Sequence, residues 1–595
     1  MPRAVKKAAG RVGKPKRWTG PAVILLAAAI AVMPMLRGGP PYGSDLVFHL
    51  ASWIEAQHSM LLGIAYPHWA YNSNFGAGEP RFVFYPPLGW MTGAALGLIF
   101  PWTKVALAFA FVGLAATGLA NRKLAGEWLE DGPATLAGCT AIFLGYALLN
   151  VYRRSDFAEL TGGVWIPLLM MYLLRDRRPE GREWERAFDG STVPLALMLA
   201  LAWLSNGPAG LMASYLLVGL AVVAALAAGS WAPLLRAVAG GALGLGLAAD
   251  FLVPAAWEQG WANLSYAISI PHLQVQYSWI FSHPTNPALF PYSHNSILDT
   301  VSMVGAVMLA VTVGGVAVAW RRGTLPGPRR WWLPLAVIPF VVLILMTPLS
   351  LPLWDLLPKL RYVQFSWRWL VVLEGPMAVF FASAVWMMRQ VRWRTAALGA
   401  CALLFLTVSI DARAWWFLDT KRDQQIIVTA EQNGTGVHGK REYAPPGDRY
   451  PEPLPYQAGA CLVPALPPGS GPAGADAKTW QLSRIGGCSG SFTAILYQPE
   501  HKMVTGVADR AGWLVLKLRS YPAWRATLNG RPVTAVTEPR FGLMAVPVEA
   551  GPVRVDVEWT ATPDVIAGRL LSVLSITLLL WLRGFERDLN RPRLS

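Results

Sequence analysis

Charge and cysteine are scarce in this chain. Asp, Glu, Lys and Arg make up 14% of its 595 residues against 54% hydrophobic, and the mean hydropathy is +0.37. Those values lie outside the range of soluble globular domains. Also missing are a P-loop, a G-x-S-x-G elbow, a C-x-x-C pair and an H-E-x-x-H helix. With them goes the sequence basis for nucleotide-driven pumping, serine hydrolysis and zinc proteolysis. The four cysteines divide evenly: Cys139 and Cys401 lie in apolar runs, Cys461 and Cys488 in a polar region. The second pair is a disulfide candidate that an oxidising extracytoplasmic compartment would permit, two buried thiols being the alternative.

What is abundant is apolar length. Runs at Pro21–Leu36, Leu136–Leu149, Leu211–Leu226, Val301–Trp320 and Leu333–Met346 approach or reach the roughly 20 residues that cross a bilayer. In lipid such runs must be helical, because nothing else there satisfies the backbone. The net charge of +16 marks topology, not a nucleic-acid partner, since the basic residues sit in short segments between apolar runs. Arg3, Lys6, Lys7, Arg11, Lys14, Lys16 and Arg17 precede the first run without an acid among them, which places the N-terminus in the cytoplasm. No small-residue cleavage site follows, so the first run is expected to be an anchor. Arg175–Arg186, Arg321–Arg330, Arg389–Arg394 and Arg583–Arg593 read as cytoplasmic by the same rule.

The expected organisation is an α-helical polytopic membrane protein of about twelve spans with a C-terminal extracytoplasmic β-sandwich-like domain. A basic N-terminus (1–18) precedes a transmembrane domain (19–410) with outward loops at 37–103, 152–161, 254–296 and 348–368. A β-rich domain (411–562), a final helix (563–582) and a cytoplasmic tail (583–595) complete it. Pro86–Phe100 is apolar but flanked by prolines, and a full span there would invert everything downstream, so it reads as re-entrant or interfacial. In 411–562 long apolar runs vanish, Trp513–Leu518 and Val553–Trp559 alternate as strands do, and Asn529-Gly530 signals a hairpin.

The first outward loop is too aromatic for a spacer. It runs Gly43-Ser44-Asp45-Leu46-Val47-Phe48-His49-Leu50, then Tyr66-Pro67-His68-Trp69, Gly76-Ala77-Gly78-Glu79-Pro80-Arg81-Phe82 and Phe84-Tyr85-Pro86-Pro87-Leu88. With these stretches go Tyr152-Arg153-Arg154-Ser155-Asp156-Phe157-Ala158-Glu159, Leu353-Trp354-Asp355, Gln364-Phe365-Ser366-Trp367-Arg368, Glu442-Tyr443 and Tyr521-Pro522-Ala523-Trp524-Arg525. In this arrangement the chain resembles the bacterial polytopic membrane proteins related to YfhO and, more distantly, the GT-C glycosyltransferase superfamily. The resemblance implies an enzyme of the bacterial inner membrane with an outward active site. It would take a sugar from a polyprenyl-phosphate carrier and pass it to a glycan, lipid or protein acceptor. It also implies a catalytic acid after the first helix, a position that Asp45 occupies. Many GT-C enzymes carry paired acids there, whereas this loop offers Asp45 alone, preceded by Ser44. A divalent cation, Mg²⁺ or Mn²⁺, is the one cofactor left open.

Sugar transfer needs a base at the acceptor hydroxyl and positive charge at the departing phosphate. Asp45 is the candidate base, with capping of a helix over Leu46–Leu61 as the plainer alternative. His49, one turn on, would orient that carboxylate, touch phosphate or simply pack. Arg81, Arg153, Arg154 and Arg368 are the candidates for phosphate, since guanidinium forks match its oxygens. Glu79, Asp156 and Glu159 are candidates for acceptor or metal, and Asp156 and Glu159 would otherwise pair with Arg153 and Arg154. His272, His283 and His294 are spaced by eleven, which fits no compact metal motif, and their loop reads as a flap carrying Trp257, Trp261, Tyr277 and Trp279. A transporter and a non-catalytic envelope scaffold are the competing functions. A transporter would need internal repeats and mid-span ionisable groups that the sequence does not offer clearly.

Overall fold

The computed structural model describes residues 19–41, 43–290, 292–386, 390–411, 421–446, 452, 458–463, 491–538 and 541–589. The basic residues before the first helix and Cys488 lie outside this set. Among the described residues nine helices are long and apolar enough to cross a membrane, or eleven if two bent pairs each count as one span. About twelve was expected, and the structure does not test that exact number. Two further helices are too short to be counted: Pro87–Gly97, of 11 residues, in the stretch expected to be re-entrant or interfacial, and Thr192–Ser205, of 14. At 1.5 Å per residue neither reaches across about 30 Å of hydrocarbon. The bent pairs are Ala232–Leu247 with Ala249–Trp261 at 74° and Arg329–Leu345 with Pro348–Leu356 at 92°.

The helix Leu46–Leu61 is not a surface element: ten of its sixteen residues are buried. Its Trp53 stacks on Phe109 with ring centroids 5.2 Å apart. A Cβ on Gly93 would fall 2.2 Å from the Trp53 ring, so the Pro87–Gly97 helix packs close only through a residue without a side chain. The start of Leu46–Leu61 is fixed by a second close approach. A Cβ on Gly43 would lie 2.0 Å from the carbonyl carbon of Arg154. The Gly43 N–H donates to Ser155 Oγ at 3.0 Å, and the Asp45 N–H donates to the Arg154 carbonyl at 3.1 Å. Ser155 itself takes a left-handed φ of +54°, which turns the chain sharply between two spans. The first loop is thereby clamped onto the break between the Asp131–Arg154 and Phe157–Leu174 spans.

Among the described residues nine strands form the C-terminal module: β1 Ala460–Val463, β2 Ser491–Gln498, β3 His501–Ala508, β4 Gly512–Arg519, β5 Trp524–Leu528, β6 Arg531–Val533, β7 Val536–Thr537, β8 Leu543–Val548 and β9 Gly551–Trp559. They build two antiparallel sheets, β1-β4-β8-β7 and β2-β3-β9-β5-β6. Asn529 and Gly530, both at positive φ, close the β5–β6 hairpin. The core between the sheets is completed from outside the module. Trp69 and Tyr71 of the first loop join it, with Trp69 edge-on to Trp524 at 5.3 Å. Arg519 ties back by donating to Asn74 Oδ1 at 3.2 Å. The start of the region expected to be β-rich is helical instead: Lys421–Gln432 packs on Leu46–Leu61. The helix Pro563–Leu589 leaves the module alongside Ala249–Trp257, where a Cβ on Gly568 would meet the Ala249 carbonyl at 2.6 Å. Cys139 and Cys401 carry free thiols and Cys461 is disulfide-bonded.

Candidate active site

Where the clamped loop, the span break and the segment 440–443 meet lies a cavity of 560 Å³. One side is ionisable: Asp45, His49, Asp156, Lys359, Arg368, Lys440 and Glu442. The other is largely apolar, with Trp203, Leu211, Phe251, Leu252, Ala255 and Ala256 contributed by helices of the bundle. Asn206, Gly207 and Pro208 also line it, so the first turn of the Gly207–Ala228 helix faces the cavity. Asn206 caps that helix by accepting from the Ala209 N–H at 2.9 Å, and a Cβ on Gly207 would meet open space. A helix N-terminus carries about half a positive charge, which favours an anion there.

Behind the ionisable wall is a buried knot of two guanidiniums and two carboxylates. Arg154 reaches Glu159 at 2.5 Å and Asp156 at 2.8 Å, and its plane lies 4.8 Å from the Trp367 ring. Arg368 reaches Glu159 at 2.9 Å and Asp156 at 3.9 Å. Tyr146 donates to Glu159 at 2.8 Å and accepts from Arg154 at 3.0 Å. Asp156 also caps the short Phe157–Leu160 helix through the Glu159 N–H at 3.0 Å. The charges balance two against two, the condition under which buried ions are tolerated. Burial alone would raise the Asp156 carboxyl, but Arg154, His49 and Arg368 together hold it far below the usual carboxylate range. Asp156 is therefore a fixed anion and a poor base.

Asp45 is the surplus charge at the rim of this knot. Its carboxylate stands 3.8 Å from Arg154, beyond hydrogen-bond distance, and its side chain keeps 33% of its exposure. It sits at the N-cap position of Leu46–Leu61 without accepting a capping bond from that helix. Capping therefore does not account for an acid at this position, and the lone pairs face the cavity. His49 is buried between Asp156, 3.6 Å from its Nε2, and the Tyr85 hydroxyl, 3.2 Å from its Nδ1. It stands beside the knot as an imidazole held from both sides.

Glu79, Arg81, Arg153 and Glu159, all singled out from sequence, are absent from the cavity wall. Arg81 is buried and donates to Glu79 at 2.8 Å, Ser52 at 3.0 Å and Ser73 at 2.6 Å, with Phe48 under its plane at 4.8 Å. The guanidinium expected to face a donor phosphate is committed within the protein, and Glu79, expected to meet acceptor or metal, is its counter-ion. Glu79 also accepts from the Lys440 N–H at 2.8 Å. Arg153 is not part of the cavity wall and donates to Ser296 at 2.7 Å. Glu159 lies inside the knot, out of the cavity's reach. His283 bonds Asp299, His294 bonds the Tyr277 carbonyl, and Trp279 is buried, so the 254–296 loop gathers no histidine cluster.

The residues that sequence reasoning passed over are Lys359, Lys440 and Gln364. Lys359 and Gln364 both take positive φ, +62° and +66°, in the loop before Arg368. Strain of that kind in non-glycine residues concentrates at functional sites. Glu442 is raised by burial, with Lys440 opposing the shift. The Asp156 oxygens are engaged by Arg154 and the Glu159 N–H, which leaves Asp45 and Glu442 as the other carboxylates of the cavity lining. Among the described residues the one group with metal-ligand spacing, His501, Asp556 and Glu558, lies in the module on β3 and β9.

Fold and site together define a multi-pass α-helical membrane protein with a C-terminal β module and an ionisable cavity lined by its first loop, its helices and the segment 440–443. No protein-family model and no curated protein sequence matches the chain. Solved structures do. The oligosaccharyltransferase of Archaeoglobus fulgidus in its apo form aligns at 14% identity with a TM-score of 0.37, over 73% of this chain and 62% of that one. The archaeal oligosaccharyltransferase AglB from Archaeoglobus fulgidus, in complex with an inhibitory peptide and a dolichol-phosphate, aligns at 14% and 0.35 over 71% and 56%. The arabinosyltransferase EmbB from Mycobacterium smegmatis aligns at 14% and 0.34 over 94% and 65%. The chain spans less than two thirds of the length of each.

Proposed function

We propose that this protein is a membrane glycosyltransferase, YfhO-related and of the GT-C type, that moves a sugar from a polyprenyl-phosphate donor to an extracytoplasmic acceptor. One observation carries the reading. A single cavity joins an uncommitted carboxylate, Asp45, to three cations, Arg368, Lys359 and Lys440, a helix N-terminus, and an apolar wall drawn from membrane helices. That is the chemistry a lipid-linked phosphosugar requires. The apolar wall takes the first isoprene units, the cations and the helix end neutralise the phosphate as its bond to the sugar breaks, and Asp45 accepts the acceptor's proton. The reaction then occurs on the outward side, with the module above the outer leaflet.

The test is transfer of radiolabelled sugar from a polyprenyl-phosphate donor by the purified protein in nanodiscs, wild type beside Asp45→Asn. Asparagine keeps the shape but accepts no proton, and loss of a general base costs about 10²–10⁴ in rate. Near-wild-type transfer by Asp45→Asn removes Asp45 as the base. Absence of transfer by wild type from any polyprenyl-phosphate sugar tested removes the enzyme reading.

A further inference from the structure

Away from the candidate active site, a groove of 280 Å³ lies between the helices Tyr292–Arg321 and Arg329–Leu345. Val313, Ala317 and Trp320 of the first helix line it, with Trp332, Ala336 and Phe340 of the second. Ala336 and its neighbour Pro339 are buried and make the floor, whereas Trp320 and Phe340 keep 69% and 57% of their exposure as the lips. No charged side chain lines it. On two apolar spans such a groove faces lipid, and at 1.5 Å per residue its lining runs for about 12 Å, inside one leaflet of a core about 30 Å thick.

One end of the groove is different in kind. From Arg321 to Trp332 the sequence carries four arginines and no acid. Two of them are committed within the protein: Arg330 pairs with Asp176 at 3.7 Å, and Arg322 donates to the Ala384 carbonyl at 3.2 Å. Arg321 and Arg329 are exposed and, among the described residues, form no ion pair. Both continue the lining of the groove. Arg321 follows Ala317 by four residues, and Arg329 precedes Trp332 by three and Ala336 by seven, spacings that keep each on the lining face of its helix. Arg329 also opens its helix, and Pro328 at the N-cap gives that end no side-chain cap. The positive end of the helix therefore adds to the two guanidiniums.

We propose that this groove is a binding site for an anionic glycerophospholipid, with one acyl chain between the two helices and the phosphate against Arg321 and Arg329. A second transmembrane helix would cover the exposed rings but brings no anion to the arginines. Inorganic phosphate brings the anion but nothing for the groove. A zwitterionic lipid brings both, together with a cation that two arginines without an acid disfavour. The proposal is independent of the transferase reading.

The experiment reads lipid at the groove by quenching of its own tryptophans. Full-length protein is reconstituted in nanodiscs of unlabelled phosphatidylcholine, and dibrominated-chain phosphatidylglycerol or dibrominated-chain phosphatidylcholine is titrated in. The expected result is saturable quenching that phosphatidylglycerol reaches at about a tenfold lower mole fraction. The saturable part should vanish in Trp320→Phe/Trp332→Phe, which removes the reporters and keeps rings in place. Arg321→Gln/Arg329→Gln, both at exposed positions, should abolish the preference for phosphatidylglycerol. Ala317→Trp, also exposed, should fill the groove and weaken quenching by both lipids. Equal titration by the two lipids in wild type, or a preference that survives Arg321→Gln/Arg329→Gln, overturns the proposal. So does saturable quenching that is unchanged in Trp320→Phe/Trp332→Phe, or a dimer in native mass spectrometry that Ala317→Trp dissociates, which would give the groove to a second copy of the chain.

Discussion

Gly43→Ala should cripple the site by displacing it, without touching any group that does chemistry. The new Cβ would lie 2.0 Å from the Arg154 carbonyl carbon and 2.2 Å from its oxygen. Ordinary contact begins at 3.4 Å, so the two backbones must part by at least 1.4 Å (3.4 less 2.0). Neither side can yield by a side-chain rotation, since both contacts are backbone. Separation breaks the Gly43–Ser155 and Asp45–Arg154 bonds and carries Asp45 away from the cavity. Overpacking of this kind costs ~1–3 kcal/mol of stability. A misplacement of about 1 Å at a reacting group can cost about 10²-fold in rate. The assay is sugar transfer in nanodiscs together with thermal unfolding, with Gly219→Ala as the control because a Cβ there meets nothing within 4 Å. The expected outcome is a drop in transfer of about 10²-fold with a lowered Tm for Gly43→Ala alone. Wild-type rate and Tm for Gly43→Ala would refute the clamp and with it the placement of Asp45.

Lys440→Ala should raise the donor KM several-fold with a smaller effect on kcat, since its ammonium lies over the Phe48 ring at the cavity wall; a steady-state titration of donor reads this, and unchanged donor saturation would exclude a phosphate contact. Burial pushes the Glu55 carboxyl up to about 7, so its contribution to stability is full below pH 4.5 and is lost as pH rises through 7. Tm should therefore fall between pH 5 and pH 8 in wild type, and Glu55→Gln should flatten that fall; a parallel fall in both proteins would discard the assignment. Reduction of the Cys461 disulfide, or Cys461→Ser, should lower the unfolding midpoint of the module by an amount corresponding to ~2–5 kcal/mol, read by denaturant titration of tryptophan fluorescence.

The elements that were legible in the sequence are those whose signal is local. Apolar length marked the long spans, Asn529-Gly530 marked the β5–β6 turn, and period-two alternation marked β4 and β9. Span number is least legible where a helix is short and apolar. Thr192–Ser205 is as apolar as a span, and hydropathy alone does not say whether lipid or other helices cover it. The Lys421–Gln432 helix was read as part of a β region because it is polar. Its place is set by a buried contact: Asn72, near the helix Leu46–Leu61, donates to the Glu431 carbonyl at 2.9 Å, across 359 residues. No window along the chain contains that pairing.

The site was legible as a list of residue types and illegible as a division of labour. Four arginines stood as equals in the sequence, because a guanidinium near a membrane interface needs a partner and the sequence does not name it. The structure distinguishes them by which acids lie within reach. Arg81 has Glu79 two residues away and is spent on it; Arg154 and Arg368 come from segments more than two hundred residues apart and share Asp156 and Glu159. The same accounting picks out Asp45. Two buried positive charges are matched by two buried negative ones, so a third carboxylate at the rim gains little from the knot and keeps its lone pairs for a ligand. Lys359 and Lys440 escaped notice for the complementary reason. Each is one lysine in a loop, and each becomes a candidate for phosphate only because folding sets it on a wall with Arg368 and the first turn of Gly207–Ala228.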